Sequence, residues 1–154
     1  MTRLGIVLAA SLGLASTFAP ASLAAQDMGV TGAAEASLPD GATFNGVSLR
    51  GLTLGQGIFF EQDGSAAGQF QAVLQGTSAL GAPQDIIVEG EVRDGSAGGG
   101  TATFSGVATV TMGNGIPLVG VPFTVTASAG SLGLTLNGAA LPTATVTAGS
   151  IAMQ

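Results

Sequence analysis

Between Gly100 and Ala127 the chain reads GTATFSGVATVTMGNGIPLVGVPFTVTA, and apolar side chains alternate with hydroxyls through most of it. Phe104, Ala108, Val110 and Met112 fall on one parity, Thr103, Ser105, Thr109 and Thr111 on the other. Successive side chains of a strand point to opposite faces, so a period of two makes one apolar face and one polar face. Asn114-Gly115 tolerate the positive φ of a tight hairpin turn. Beyond them Val119, Val121, Phe123 and Val125 alternate with Gly120, Pro122, Thr124 and Thr126. The stretch predicts two antiparallel strands, and it restricts the rest of the chain to what can pair or pack with a sheet.

The same alternation recurs. Phe70, Ala72 and Leu74 oppose Gln69, Gln71, Val73 and Gln75, and Ile86, Val88 and Val92 oppose Asp85, Glu89, Glu91 and Arg93, with Ile87 out of phase. Shorter runs cover 42–49, 55–62, Leu132 to Leu136, and Leu141 to Met153 with Val146. Asp63-Gly64 and Asn137-Gly138 supply turn chemistry, Asn45-Gly46 is a further candidate turn, and 94–100 (DGSAGGG) reads as a flexible connection. No stretch sustains a helical period. About eight strands with short connections predict an all-β antiparallel meander. Exposed edges of so many Thr- and Val-rich strands invite aggregation, so closure as a small barrel is expected, with a β-sandwich as the alternative. A barrel of about eight strands is just wide enough for side chains or one small ligand. Gly68, Ala72, Gly90, Gly106 and Ala108, set among Phe70, Phe104 and Phe123, suit a filled interior.

The first residues, MTRLGIVLAASLGLASTFAPASLAAQ, carry one charge at Arg3, an apolar core from Leu4 to Phe18, then Pro20 and small residues. They predict a secretory signal peptide over 1–24, cleaved after Ala24, since the core is shorter than the roughly 20 residues a membrane helix needs. Residues 25–41 (AQDMGVTGAAEASLPDG) show no period and read as an exposed lead-in, and 42–154 as one all-β domain. The expected location is secreted, periplasmic or extracellular. The Gly, Ala and Thr excess without Lys has a bacterial cast.

Loss of Arg3 with the leader moves the formal charge from −6 to −7, leaving Arg50 and Arg93 as the basic groups. Nucleic acid and anionic membrane surfaces need clustered cations, so neither is an expected partner, and no membrane anchor is expected after cleavage. An outer-membrane barrel would show aromatic girdles, whereas the chain has no Trp or Tyr.

Chemistry is limited by what is missing. The chain has no His and no Cys, and all three of its basic residues are Arg. Ser-His and Cys-His pairs, the usual zinc sets, Schiff bases and phosphate loops that need Lys all fall away. No cofactor is implied. Carboxylates remain. Glu89 and Glu91 share a strand face about 6.5–7 Å apart, a spacing that a glycoside hydrolase can use, but a charged face that blunts aggregation is the favoured explanation. Asp40, Asp63 and Asp94 each precede Gly, so they are candidates for calcium in oxygen-rich turns and also ordinary turn residues. Phe70, Phe104 and Phe123 would line the pocket if the barrel were partly empty. Thr103, Thr109, Thr111, Thr124 and Thr126 form a hydroxyl array that an ordered surface can meet, or simply a solvated strand face.

The expected function is a non-enzymatic secreted β-domain with a structural or surface-interaction role and a protein or glycan as partner. A carrier of a small apolar ligand is the alternative, and a carboxylate-dependent glycan hydrolase the third.

Overall fold

In the computed structural model, residues 28–154 are described and form one antiparallel sheet, with no helix among them. Its strands are β1 (Met28–Ser37), β2 (Thr43–Phe44), β3 (Val47–Phe60), β4 (Ser65–Thr77), β5 (Ile86–Gly98), β6 (Thr101–Met112), β7 (Leu118–Ser128), β8 (Ser131–Leu136), β9 (Ala139–Ala140) and β10 (Ala144–Met153). From β3 to β8 each strand pairs with the next in sequence, as expected of a meander. β1 then closes the ring. It pairs with β3 from Met28↔Phe60 to Ser37↔Gly51, and on its other edge with β10 from Val30↔Met153 to Ser37↔Thr145. The narrowest ladder around the ring is β8 to β10, held by Ala144↔Leu132 and Thr145↔Ser131 and by the Val146 N–H to the Gly130 carbonyl at 3.0 Å. The sheet is one and continuous, so the two-sheet alternative is not adopted.

The reading of 25–41 as an exposed lead-in is corrected over Met28–Ser37, which is a ten-residue strand. Its inward row is Val30, Gly32, Ala34 and Ala36, and Val30, Ala34 and Ala36 are buried. Gly and Ala carry little hydropathy contrast, so the period of two is present but nearly silent in the letters. Its placement follows from both neighbours: each edge of β1 finds a full ladder, and burying the backbone this way satisfies its N–H and C=O groups. The signal-peptide assignment, with cleavage after Ala24, lies outside the described residues.

The connection expected over 94–100 is also shorter than the composition suggests. β5 runs to Gly98, and the turn is Gly99-Gly100, at φ of 61° and 78°. Likewise 47–60 is a single strand of 14 residues with a bulge between Leu49 and Gly51. Asn45-Gly46 and Asn137-Gly138 do turn the chain, both residues of each pair having positive φ, as a two-residue hairpin turn of the tight kind requires. They fold the two-residue strands β2 and β9 back onto β3 and β8.

The inward faces build one core. Leu52, Leu54, Ile58 and Phe60 of β3 meet Phe70, Ala72 and Leu74 of β4, Ile86 and Val88 of β5, Phe104 and Val110 of β6, Phe123 and Val125 of β7, and the three leucines of β8. Burying each such Val, Leu, Ile or Phe contributes about 1.5–3 kcal/mol. Outward, Phe59 and Ile87 are exposed, and Ile87 is the residue out of phase with its strand.

Candidate functional site

Inside the ring, Phe70, Phe104 and Phe123 come together. The Phe70 and Phe104 rings are tilted at 60° with centroids 5.9 Å apart, and those of Phe70 and Phe123 are stacked at 18° and 5.7 Å. All three are buried. Gly90, on β5, makes room for them: a Cβ there would lie 2.7 Å from Cε1 of Phe123. The rings cluster on the sheet's inner face around Phe70, and the two hollows at the ends of the ring are lined by other residues. Aromatic contact of this kind fills space that a guest would otherwise take.

One polar side chain interrupts this interior. Gln56 follows Leu52 and Leu54 on the inward row of β3, beside Gly32 of β1 and Phe70 of β4. It is 9% exposed, and neither its Nε2 nor its Oε1 has a hydrogen-bond partner among the described residues. The sequence signal for it is a lone amide at an apolar parity, Leu52-x-Leu54-x-Gln56-x-Ile58-x-Phe60.

Glu89 and Glu91 both point outward on β5. Glu89 stands between Gln71 and Thr109 on the neighbouring strands, Glu91 between Gln69 and Val107. Oε2 of Glu91 lies 3.9 Å from an Arg93 guanidinium nitrogen, with both side chains more than half exposed. An ion pair of that length in solvent contributes little. The two carboxylates sit on an exposed strand face with mostly polar neighbours, and no water-excluded cleft is formed around them. Of the hydroxyl array, Thr103 pairs with Thr126, their hydroxyl oxygens 3.4 Å apart, and Thr124 pairs with Ser105, whereas Thr109 and Thr111 stand opposite Glu89 and Ile87 of β5.

Asp40, Asp63 and Asp94 do not assemble. Asp40 lies in the connection from β1 to β2, whereas Asp63 is in the turn from β3 to β4, at the far end of the 14-residue β3. Asp94 pairs with Ser65, which places it near Asp63 alone. Oδ1 of Asp63 accepts the Ser65 hydroxyl at 2.7 Å and the Ser65 N–H at 2.9 Å, and Glu61 Oε2 accepts the same hydroxyl at 3.1 Å. The Ser65 hydroxyl, and then its N–H, hold the Asp63 carboxyl below its ordinary value of 3.8. This is an Asx-type turn. Among the described residues no three Asp or Glu are grouped to hold a metal.

At the end of the ring that carries β2 and β9, the structure shows a surface the alternation does not foretell. The turn from β6 to β7 closes with the Gly115 N–H on the Met112 carbonyl at 2.9 Å, and the positive φ belongs to Gly113, at 54°, not to Asn114-Gly115. Next, Ile116 is 90% exposed and Val119 78%. The alternation puts Val119 on the inward row, and a bulge corrects that. Ala108 pairs with Val121 and Val110 with Leu118, so two residues of β7, Val119 and Gly120 at φ 71°, face Thr109 alone and the Val119 side chain is thrown outward. Leu80, in the connection from β4 to β5, is 96% exposed. At this end lies a hollow of about 120 Å³ lined by Phe44, Val110, Leu118, Val121 and Leu136, with Asn45 and Asn137 also contributing. The signal in the sequence is Ile116-Pro117-Leu118 directly after Asn114-Gly115, apolar residues where a turn ordinarily carries polar ones.

At the opposite end a recess of about 300 Å³ is lined by Met28, Phe60, Glu61, Gly95 and Ala97 among others. Compared with protein-family models, with curated proteins and with solved structures, the chain matches none.

Proposed function

We propose that the protein is a secreted, non-enzymatic β-domain that acts through its surface, as an interaction module. The observation that carries this is the stacking of Phe123 on Phe70 over Gly90, which commits the centre of the ring to side chains. A carrier needs an enclosed apolar cavity of several hundred Å³, and the interior of this ring is occupied where that cavity would be. What is left to act is the outside: the polar strand face and the apolar end around Ile116. The absence of His, Cys and Lys speaks for a role without catalysis, and the composition of 1–24 speaks for secretion.

The carrier reading keeps a foothold in the 300 Å³ recess beside Met28 and Phe60. Native mass spectrometry of the protein taken from its own secreted fraction separates the two. The module gives the mass of the chain, single or paired, with nothing small bound to it. A small-molecule increment that disappears on denaturation would replace it with the carrier. A hydrolytic activity towards a glycan that Glu89→Gln abolishes would replace it with the enzyme.

A further inference from the structure

The end of the ring that holds the 120 Å³ hollow also holds an exposed apolar side chain. Ile116 stands two residues before Leu118, which lines the hollow, and is almost wholly in solvent. We infer that two copies of this chain pair through this end, Ile116 of each entering the hollow of the other. The inference rests on the interaction-module reading and names its partner. A protruding side chain and a receptor on the same surface patch make that patch self-complementary, and one two-fold axis then satisfies both contacts at once. The volume is on the order of four waters' share of the liquid, enough for the four carbons of an isoleucine side chain.

An uncharged surface is compatible with the same partner. Neither the 113–121 segment nor the lining of the hollow carries an ionisable group, so the surface offers nothing specific to a cationic or an anionic ligand. Glu61, Asp63 and Asp94 lie towards the opposite end, and Glu89 and Glu91 on the outer face of β5. Asp40 and Asp85 are at this end but outside the lining. Two acidic copies therefore meet here with their carboxylates set back. Residual repulsion between them is screened by salt, so pairing strengthens as ionic strength rises. Leu80, Ile116, Leu118 and Val119 with the lining residues fall short of the roughly 20–30 residues per side of a stable interface, which puts the association in the weak, concentration-dependent range.

The test is sedimentation equilibrium of the secreted protein from micromolar to millimolar concentration, at low and at moderate salt. The mass is expected to climb from one chain towards two, at lower concentration in the higher salt. Ile116→Asp, at a solvent-exposed position, is expected to raise the dissociation constant about tenfold or more while leaving the melting temperature of the single chain unchanged. Ala139→Phe, which fills the hollow and keeps Ile116, is expected to do the same. A wild-type protein that stays monomeric throughout, or a dimer that survives both substitutions, overturns the pairing. If that monomer also carries nothing in native mass spectrometry, the pairing falls alone and the module reading stays in place. If it carries a small molecule, both fall.

Discussion

The ring of Phe123 stacks on that of Phe70 at a centroid distance of 5.7 Å, and the Phe123 ring lies where a side chain on Gly90 would otherwise stand. Gly90→Ala would set a Cβ 2.7 Å from Cε1 and 2.8 Å from Cζ of Phe123, and the buried ring has to move. Overpacking of this kind costs about 1–3 kcal/mol. Urea unfolding is expected to show that loss with an unchanged slope. A silent substitution would mean that the three rings are loosely packed.

Phe104→Ala empties the other side of the same cluster and is expected to cost about 3–5 kcal/mol, the usual range for a buried aromatic. Thr109→Ala, on the outward row of the same strand, is expected to change stability by no more than about 0.5 kcal/mol. Comparable losses at the two positions would contradict the assignment of faces on β6.

Much of the fold is legible in the letters, and particular residues show why. The strands around Phe70, Val88 and Phe104 alternate apolar side chains with Thr, Gln or Glu, so their inward rows can be read directly. β1 is not legible, because its inward row is built from Val30 and small residues, and only its two full ladders reveal it as a strand. Val119 escapes the alternation because a bulge shifts parity without leaving a mark in composition beyond Gly120. The apolar end of the ring is hidden for a different reason. Turn residues are read for their backbone chemistry, and the apolar character of Ile116 and Leu118 is absorbed into the strand that follows.

Gln56 lies in the core with both amide atoms unpartnered among the described residues. An unsatisfied buried polar group costs about 1–3 kcal/mol, so Gln56→Met, close in shape and apolar, is expected to stabilise the fold by an amount of that order. Thermal or urea unfolding reads it directly. A destabilised variant would show that the amide has a partner in solution.

Asp63 accepts two hydrogen bonds from Ser65, and its carboxyl titrates below the ordinary 3.8. A depressed folded-state value means that the contribution is complete above the unfolded value and disappears as pH falls through the folded one. The urea midpoints of the wild type and of Asp63→Asn are therefore expected to differ slightly at neutral pH and to converge well below pH 3.8. A gap that persists in strong acid would show that the carboxylate charge is not its source.

The filled interior is tested most directly by NMR of the Phe70, Phe104 and Phe123 ring protons during titration with benzene, a probe small enough to enter an apolar cavity of about 150 Å³. Unmoved ring resonances at all three positions are the expected result. A saturable shift at all three rings would contradict the account, since it would place a guest where the structure has only side chains.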